Sequence, residues 1–426
     1  MNILFDANVQ YVLFGSVFFG ISSGVLGCFA FLRKRALVGD AIAHAALPGI
    51  CIAYLLTQTK HPLVIILGAA TTALLGSFAI NVITEKSRIK EDAAIGLVLS
   101  VFFGIGILLL TYIQHQPYGN QSGLDKFLFG QAASLIGRDV QVFGTLAVLL
   151  LVAVFFAYKE FKLMAFDRSF ASAIGLPTTL MDVFLTLLIV LVVTTGLQAV
   201  GVVLMASMLI TPAAAARQWT DRLPVMLLLA GLFGAFSGAT GAIASALAPR
   251  MPTGPWIVMT ITLFFAISIL MAPKRGILPR WQRHRGNHRR MNCENILLTF
   301  YRLEEEGSER FFSLDEIRRY RALSVRSALQ LLSILEQKEL ILGGEKPEHW
   351  QLTSNGRSEA KKLIRRHRLW ELYLSRYLHL RHTQVHVDAE EIEHILTPEL
   401  EAELETLLQH PKRDPHLKPI PESDHG

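Results

Sequence analysis

The chain has 426 residues, 51% of them hydrophobic, with a formal net charge of +6 and a mean hydropathy of +0.39. That combination excludes an ordinary soluble globular protein of this length. The three cysteines, Cys28, Cys51 and Cys293, form no CxxC and no paired framework, which excludes a disulfide scaffold and fits a reduced compartment for the soluble part.

Charge divides the sequence near residue 273. Up to that point there are 15 Lys+Arg and 11 Asp+Glu, and the remaining 153 residues hold 26 and 24. This predicts a membrane domain over 1–273, a basic linker over 274–290 and a soluble domain beyond it. The first apolar run is as long as a full span and leads straight into further spans, so it reads as a span and not as a cleaved signal peptide.

Nine stretches approach the ~20 residues that a bilayer requires. They are about 9–31, 36–56, 63–84, 92–114, 140–158, 178–197, 199–216, 223–248 and 253–272. With the soluble tail inside, eleven Lys/Arg fall on the inner loops against four (Lys60, Lys126, Arg138 and Arg250) on the outer ones. That bias predicts an external N-terminus and a cytoplasmic C-terminal domain. Residues 122–137, SGLDKFLFGQAASLIG, read as a short re-entrant or interfacial helix. Stretches such as FFGISSG (18–24) and GLFGAFSGATGAIASA (231–246) let helices approach closely, as in a multi-helix bundle. Pro48, Pro212 and Pro255 mark kinks or helix ends.

The second span carries ALVGDAIAHAALPGI (36–50). Asp40 and His44 are four residues apart and share one helix face. An ionisable residue at bilayer depth costs roughly 2.5–3.5 kcal/mol even on the mildest scale, so two on one face point to a cavity or pore. Carboxylate plus imidazole suits a borderline divalent metal such as manganese, iron or zinc. The alternative is a helix-capping Asp40 and a satisfied core His44. The loop 159–177 holds a short amphipathic piece, Phe166 to Ile174, ended by Gly175 and Pro177. It reads as a dock for a soluble partner or as a connector.

Six ordered motifs carry a family resemblance across nearly all of residues 1–280. They are RALVGDAIAHAALPGI, DAAIGLVLSVFFGIGILLL (92–110), LDKFLFG (124–130), FDRSFASAIGL (166–176), QAVGVVLMASMLITPAAAA (198–216) and PTGPWIVM (252–259). Together they resemble the permease of manganese/zinc/iron ATP-binding cassette importers. The resemblance implies a homo- or heterodimeric permease in the bacterial cell membrane, a cytoplasmic ATP-binding subunit and an extracytoplasmic metal-binding protein. It makes Asp40 and His44 the membrane metal pair and Phe166, Asp167, Phe170, Ala171 and Gly175 the ATPase-coupling segment. No GxxxxGK[ST] phosphate loop occurs in the chain, so a transporter subunit without its own ATPase activity is expected.

The linker KRGILPRWQRHRGNHRR carries seven Lys/Arg and no acid, which reads as a juxtamembrane segment attracted to anionic lipid, or as a nucleic-acid arm. From Met291 a helical face (Leu297, Leu298, Phe300, Tyr301, Leu303) leads to helix–turn–helix over 313–341 and a tight turn between two short strands over 341–353. This is the winged-helix order, and Val325, Arg326, Ser327 and Gln330 start the helix that would face DNA. A purely protein-contacting domain is the alternative. Beyond it, His367 and Glu371 sit at i, i+4, and His386 precedes Glu390, Glu393 and His394 at i, i+3, i+4. Two face-sharing clusters suggest a two-site divalent metal sensor; a solvated charged face is the alternative.

RRHRLWE, VHVDAEEIEHIL and DPHLKPIP (414–421) make residues 291–421 resemble iron- and manganese-dependent repressors of the diphtheria-toxin-repressor type. The resemblance implies a winged-helix domain over 291–354 and a metal-binding and dimerisation domain over 355–421. It makes His367, Glu371, His386, Glu390, Glu393 and His394 the ligands of regulatory Mn²⁺ or Fe²⁺. In that family the first helix gives two more ligands, and here Asn295 and Leu298 stand there. Leu298 cannot ligate; Cys293 and Glu294 are the nearest substitutes. The predicted whole is an all-α polytopic membrane bundle of about 8–9 transmembrane helices followed by a winged-helix plus helical dimerisation domain. It functions as a metal-importing permease with a fused cytoplasmic sensor. The alternative is a membrane-tethered or proteolytically released repressor acting on operator DNA.

Overall fold

In a computed structural model, residues 7–33, 35–59, 61–115, 137–247, 252–307, 311–320, 323–377 and 398–421 are described. The chain forms two compact units, residues 1–280 and 281–426.

Among the described residues, the regular elements of the first unit are helices: α1 (Ala7–Leu32), α2 (Ala36–Thr57), α3 (Pro62–Lys86), α4 (Glu91–His115), α5 (Gly137–Phe156), α6 (Tyr158–Phe166), α7 (Arg168–Ala173), α8 (Thr178–Ala199), α9 (Val202–Trp219), α10 (Leu223–Leu247) and α11 (Thr253–Met271). The long helices are apolar on all sides, as lipid-embedded helices are, so polar faces do not decide which sides meet. Small residues do. Gly20 of α1 faces Gly234 of α10, and a Cβ on either would overlap the other's carbonyl oxygen. Ser23 donates to the Met208 carbonyl at 3.0 Å and ties α1 to α9.

Among the described residues, eight helices are long and apolar enough to cross a membrane. The ninth expected stretch is α9, three residues later than its expected start, and it is not among the eight. Its second half, TPAAAARQW, dilutes the apolar first half, and most of its core-facing side chains are buried. The junction between α8 and α9 is made by Gly201 at φ +86°, a positive φ that glycine adopts without steric cost. The re-entrant helix expected over 122–137 and the LDKFLFG motif lie outside the described residues, except that Gly137 starts α5.

The second unit is built from α12 (Ile277–Glu306), β1 (Phe312–Ser313), α13 (Leu314–Tyr320), α14 (Val325–Gln337), β2 (Ile341–Gly343), β3 (His349–Leu352), α15 (Ser354–Tyr377) and α16 (Pro398–Leu407). Its antiparallel sheet has the order β1-β3-β2, with Phe312 opposite Trp350 and Leu342 opposite Gln351. Ile296, Phe300, Ile317, Leu332, Leu352 and Ile364 close one core between the helices and the sheet. Most of the basic linker, residues 274–290, forms the first half of α12. The helix begins at Ile277, within the last residues of the first unit, and runs into the second. Two-residue β1 was not expected; it is too short to carry an alternating pattern.

Candidate metal sites and coupling surface

Asp40 and His44 lie on α2, with Asp40 Oδ1 3.6 Å from His44 Nε2. His44 stacks edge-on against Phe103 of α4 at 4.8 Å, and Phe103 is the middle residue of that helix. Ala45 packs against Gly76, near the middle of α3. His44 is therefore level with the centre of its neighbours, and Asp40 is one turn, about 6 Å, nearer the helix start. The two side chains keep 14% and 30% of their surface. His44 Nδ1 is buried without a hydrogen-bond partner among the described residues. Capping is not what Asp40 does: Arg35 holds the N-cap position of α2, without a side-chain cap bond. Metal–ligand bonds of about 2.1 Å put two donors of one ion roughly 3–3.6 Å apart, so this oxygen and this nitrogen can reach one divalent cation.

A second polar cluster lies near the Arg35–Glu91 ion pair (3.2 Å). Asp182 of α8 pairs with Arg33, just past α1, and with Arg168 of α7 at 2.7 Å. It borders a cavity of about 320 Å³ lined by Ser77, Asn81, Glu85, Arg168 and Thr186 among others. Sequence reasoning missed Asp182, although a signal existed: it is the only charged residue between 178 and 216, and a lone carboxylate in an apolar helix requires a partner.

The Arg168 end of this cluster belongs to the expected coupling segment. Asp167 caps α7 by accepting from the Phe170 amide at 2.8 Å. Ala171 is fully buried and anchors the helix, while Gly175 ends it at φ +86°. Phe166, Phe170 and Ile174 remain more than half exposed, an apolar patch of the kind that marks a protein contact.

In the second unit, α15 buries His367 and Glu371 to 1% and 2% exposure, with His367 Nε2 3.1 Å from Glu371 Oε1. They line a cleft of about 600 Å³ with Arg302, Tyr320, Asp414 and His416. Burial of an adjacent imidazole and carboxylate fits a divalent cation. His386, Glu390, Glu393 and His394 lie outside the described residues. Leu298 is fully buried in the core and Cys293 is 6% exposed. Burial raises the Cys293 thiol above its usual value, and its side chain packs in the core of the second unit. Glu294 pairs with Arg290 at 2.8 Å. One turn beyond Leu298, Arg302 donates to His367 Nε2 at 3.2 Å. The first helix thus brings a cation, not an acid, to this nitrogen, a feature sequence reasoning also missed. Arg368 anchors the cleft wall, bound to Glu305 at 2.6 Å and near Asp414 at 3.5 Å.

The α14 helix is capped by Ser324, which accepts from the Ser327 amide at 3.2 Å. Val325, Arg326, Ser327 and Gln330 are all exposed. Arg326 is the only base among them, and the β2–β3 turn carries two acids against one lysine.

Comparison with known proteins gives these two units their context. The model of the ABC 3 transport family matches residues 6–272, and that of the iron dependent repressor metal binding and dimerisation domain matches 353–422. The manganese transport system membrane protein MntC of Bacillus subtilis is 46% identical over 376 residues, 88% of this chain and 85% of that protein. The zinc transport system membrane protein TroC of Treponema pallidum is 45% identical over 286 residues, 67% and 96% of the two. The structure of PsaBC from Streptococcus pneumoniae in complex with Fab is similar at a TM-score of 0.59, with 31% identity over 66% of this chain and 97% of that one. The chain belongs to the ABC 3 transport family, as a multi-pass membrane permease with a repressor-type metal-binding domain at its C-terminal end.

Proposed function

We propose that this permease imports Mn²⁺ across a bacterial cell membrane and that its tail senses the imported metal. The supporting observation is the Asp40–His44 pair, an oxygen and a nitrogen 3.6 Å apart at mid-helix depth. A relative 46% identical to this chain is named for manganese transport; the same donors also suit Zn²⁺ and Fe²⁺. The N-terminus faces outward and the tail faces the cytoplasm, following the basic loops. An extracytoplasmic binding protein delivers the ion, and a second permease subunit, identical or not, completes the path. Asp40 and His44 replace part of the hydration shell. Inward of them, Asn81, Glu85 and Asp182 line the exit cavity. ATP is hydrolysed on a separate cytoplasmic subunit docked on Phe166, Asp167, Phe170, Ala171 and Gly175, with Phe166 and Phe170 as its apolar contacts. The basic first half of α12 lies against anionic lipid.

In the tail, His367, Glu371, His386, Glu390, Glu393 and His394 hold regulatory Mn²⁺ or Fe²⁺. The sparse basic charge around Val325, Arg326, Ser327 and Gln330 favours an output on transport over operator binding, because phosphate contacts supply most DNA affinity. The test is uptake of Mn²⁺, Zn²⁺ and Fe²⁺ by cells expressing the whole transporter. Asp40→Asn and His44→Ala should each abolish uptake while the permease still co-purifies with its ATPase. Unchanged uptake in both variants removes the proposed metal path.

A further inference from the structure

The first half of α12 holds an element that neither the permease path nor the sensor uses. His284 and His288 are one turn apart, exposed, with their Nε2 atoms 3.0 Å from each other and their rings at 85°. Two M–N bonds of about 2.0–2.1 Å meeting at 90–110° place their nitrogens roughly 2.9–3.4 Å apart. The observed separation falls in that range; it is also that of an N–H···N hydrogen bond between the two rings, which a bound metal would replace. Asn292, four residues further, is exposed on the same stripe and offers an amide oxygen.

The surroundings say what such a ligand would change. Residues 281–290 are exposed all round, so this stretch has no apolar face buried against a core. A helix that is polar on every side needs help from its own side chains. Here the Trp281–Arg285 and Arg290–Glu294 contacts, each at i, i+4, supply some of that help, while Arg285 and Arg289 repel at the same spacing and Gly286 adds backbone freedom. Arg285 is drawn aside, with its guanidinium 4.0 Å over the Trp281 ring, which keeps one positive charge off the histidine stripe.

We infer that His284 and His288 form a chelate site for Zn²⁺ or a similar imidazole-preferring transition metal, which clamps this turn of α12. Two neutral imidazoles favour Cu²⁺, Ni²⁺ and Zn²⁺ over Mn²⁺. The clamp therefore answers a different metal from the one proposed for the Asp40–His44 path. It would stiffen the only covalent connection between the permease and the sensor when the competing metal rises.

The test is amide hydrogen exchange of the full chain in lipid nanodiscs, with Zn²⁺ alone as the probe. Zn²⁺ should slow exchange at residues 284–292 several-fold in the parent and leave His284→Ala and His288→Ala unchanged. Alanine favours helix, so a lost response in those variants is not a lost fold. Glu371→Gln, which disables the sensor pair, should keep the response. No response in the parent, or one that survives both histidine substitutions, overturns the site. A Mn²⁺ response equal to that of Zn²⁺ overturns the assigned metal class.

Discussion

Asp182 holds two guanidiniums at once, one from the end of α1 and one from the start of α7. Its side chain and that of Arg33 are only 15% and 11% exposed. Removing one partner of such a pair leaves a buried charge uncompensated, at about 3–5 kcal/mol. Asp182→Asn should lower the thermal transition of the purified permease, whereas Arg168→Gln, at a half-exposed partner, should barely move it. Both should weaken coupling, because Arg168 is the only member of the cluster on α7. ATP hydrolysis measured per metal ion imported would rise in both. At the sensor, Arg302 presents its charge where a metal would draw on His367 Nε2. A bound cation must displace it, so Arg302→Ala should raise the Mn²⁺ affinity of the full chain, read from the free Mn²⁺ signal by electron paramagnetic resonance. Unchanged affinity would mean that the guanidinium does not compete.

Among the elements, the proposed coupling segment separates anchor from contact. Ala171 is buried and Phe170 is 53% exposed. Phe170→Ala should leave stability within about 0.5 kcal/mol yet reduce co-purification of the ATPase. The pairing of α15 with α16 carries a pH signature. Arg365 bonds Glu401 and Glu405, and its hydrogen bond holds the Glu405 carboxyl below the usual range. A depressed folded value contributes stability above the unfolded pKa, about 4.3, and loses it as pH falls through the folded one. Exchange protection of α16 should therefore hold through neutral pH and fade only in stronger acid. These elements also show what a sequence discloses. Spans, the Asp40/His44 spacing and the winged order are written in periodicity and composition, which are local. The Asp182 cluster joins residues 33, 168 and 182, and the Arg302–His367 bond joins two helices 65 positions apart. Such pairings are set by tertiary packing, so the sequence shows only that an isolated charge needs a partner. The helical start at Ile277 was hidden for another reason: its polar, basic composition carries no apolar period.

For the whole molecule, a sensor fused to a permease can act in two ways, and they differ in time scale. A repressor acting on DNA changes how many transporters are made, over the time of protein synthesis. A fused regulator changes the rate of transporters already in the membrane, within the time of metal binding. The exposed face of α14 is poor in basic residues, and the buried His367–Glu371 pair is well formed; together they favour the second. Cells with protein synthesis blocked should then show uptake that slows as internal Mn²⁺ accumulates. A chain ending at residue 290 should import at an undiminished rate under the same block, and His367→Ala should follow the truncated chain. If all three slow alike, the tail exerts no direct control of transport, and the promoter-binding reading gains what the regulator reading loses.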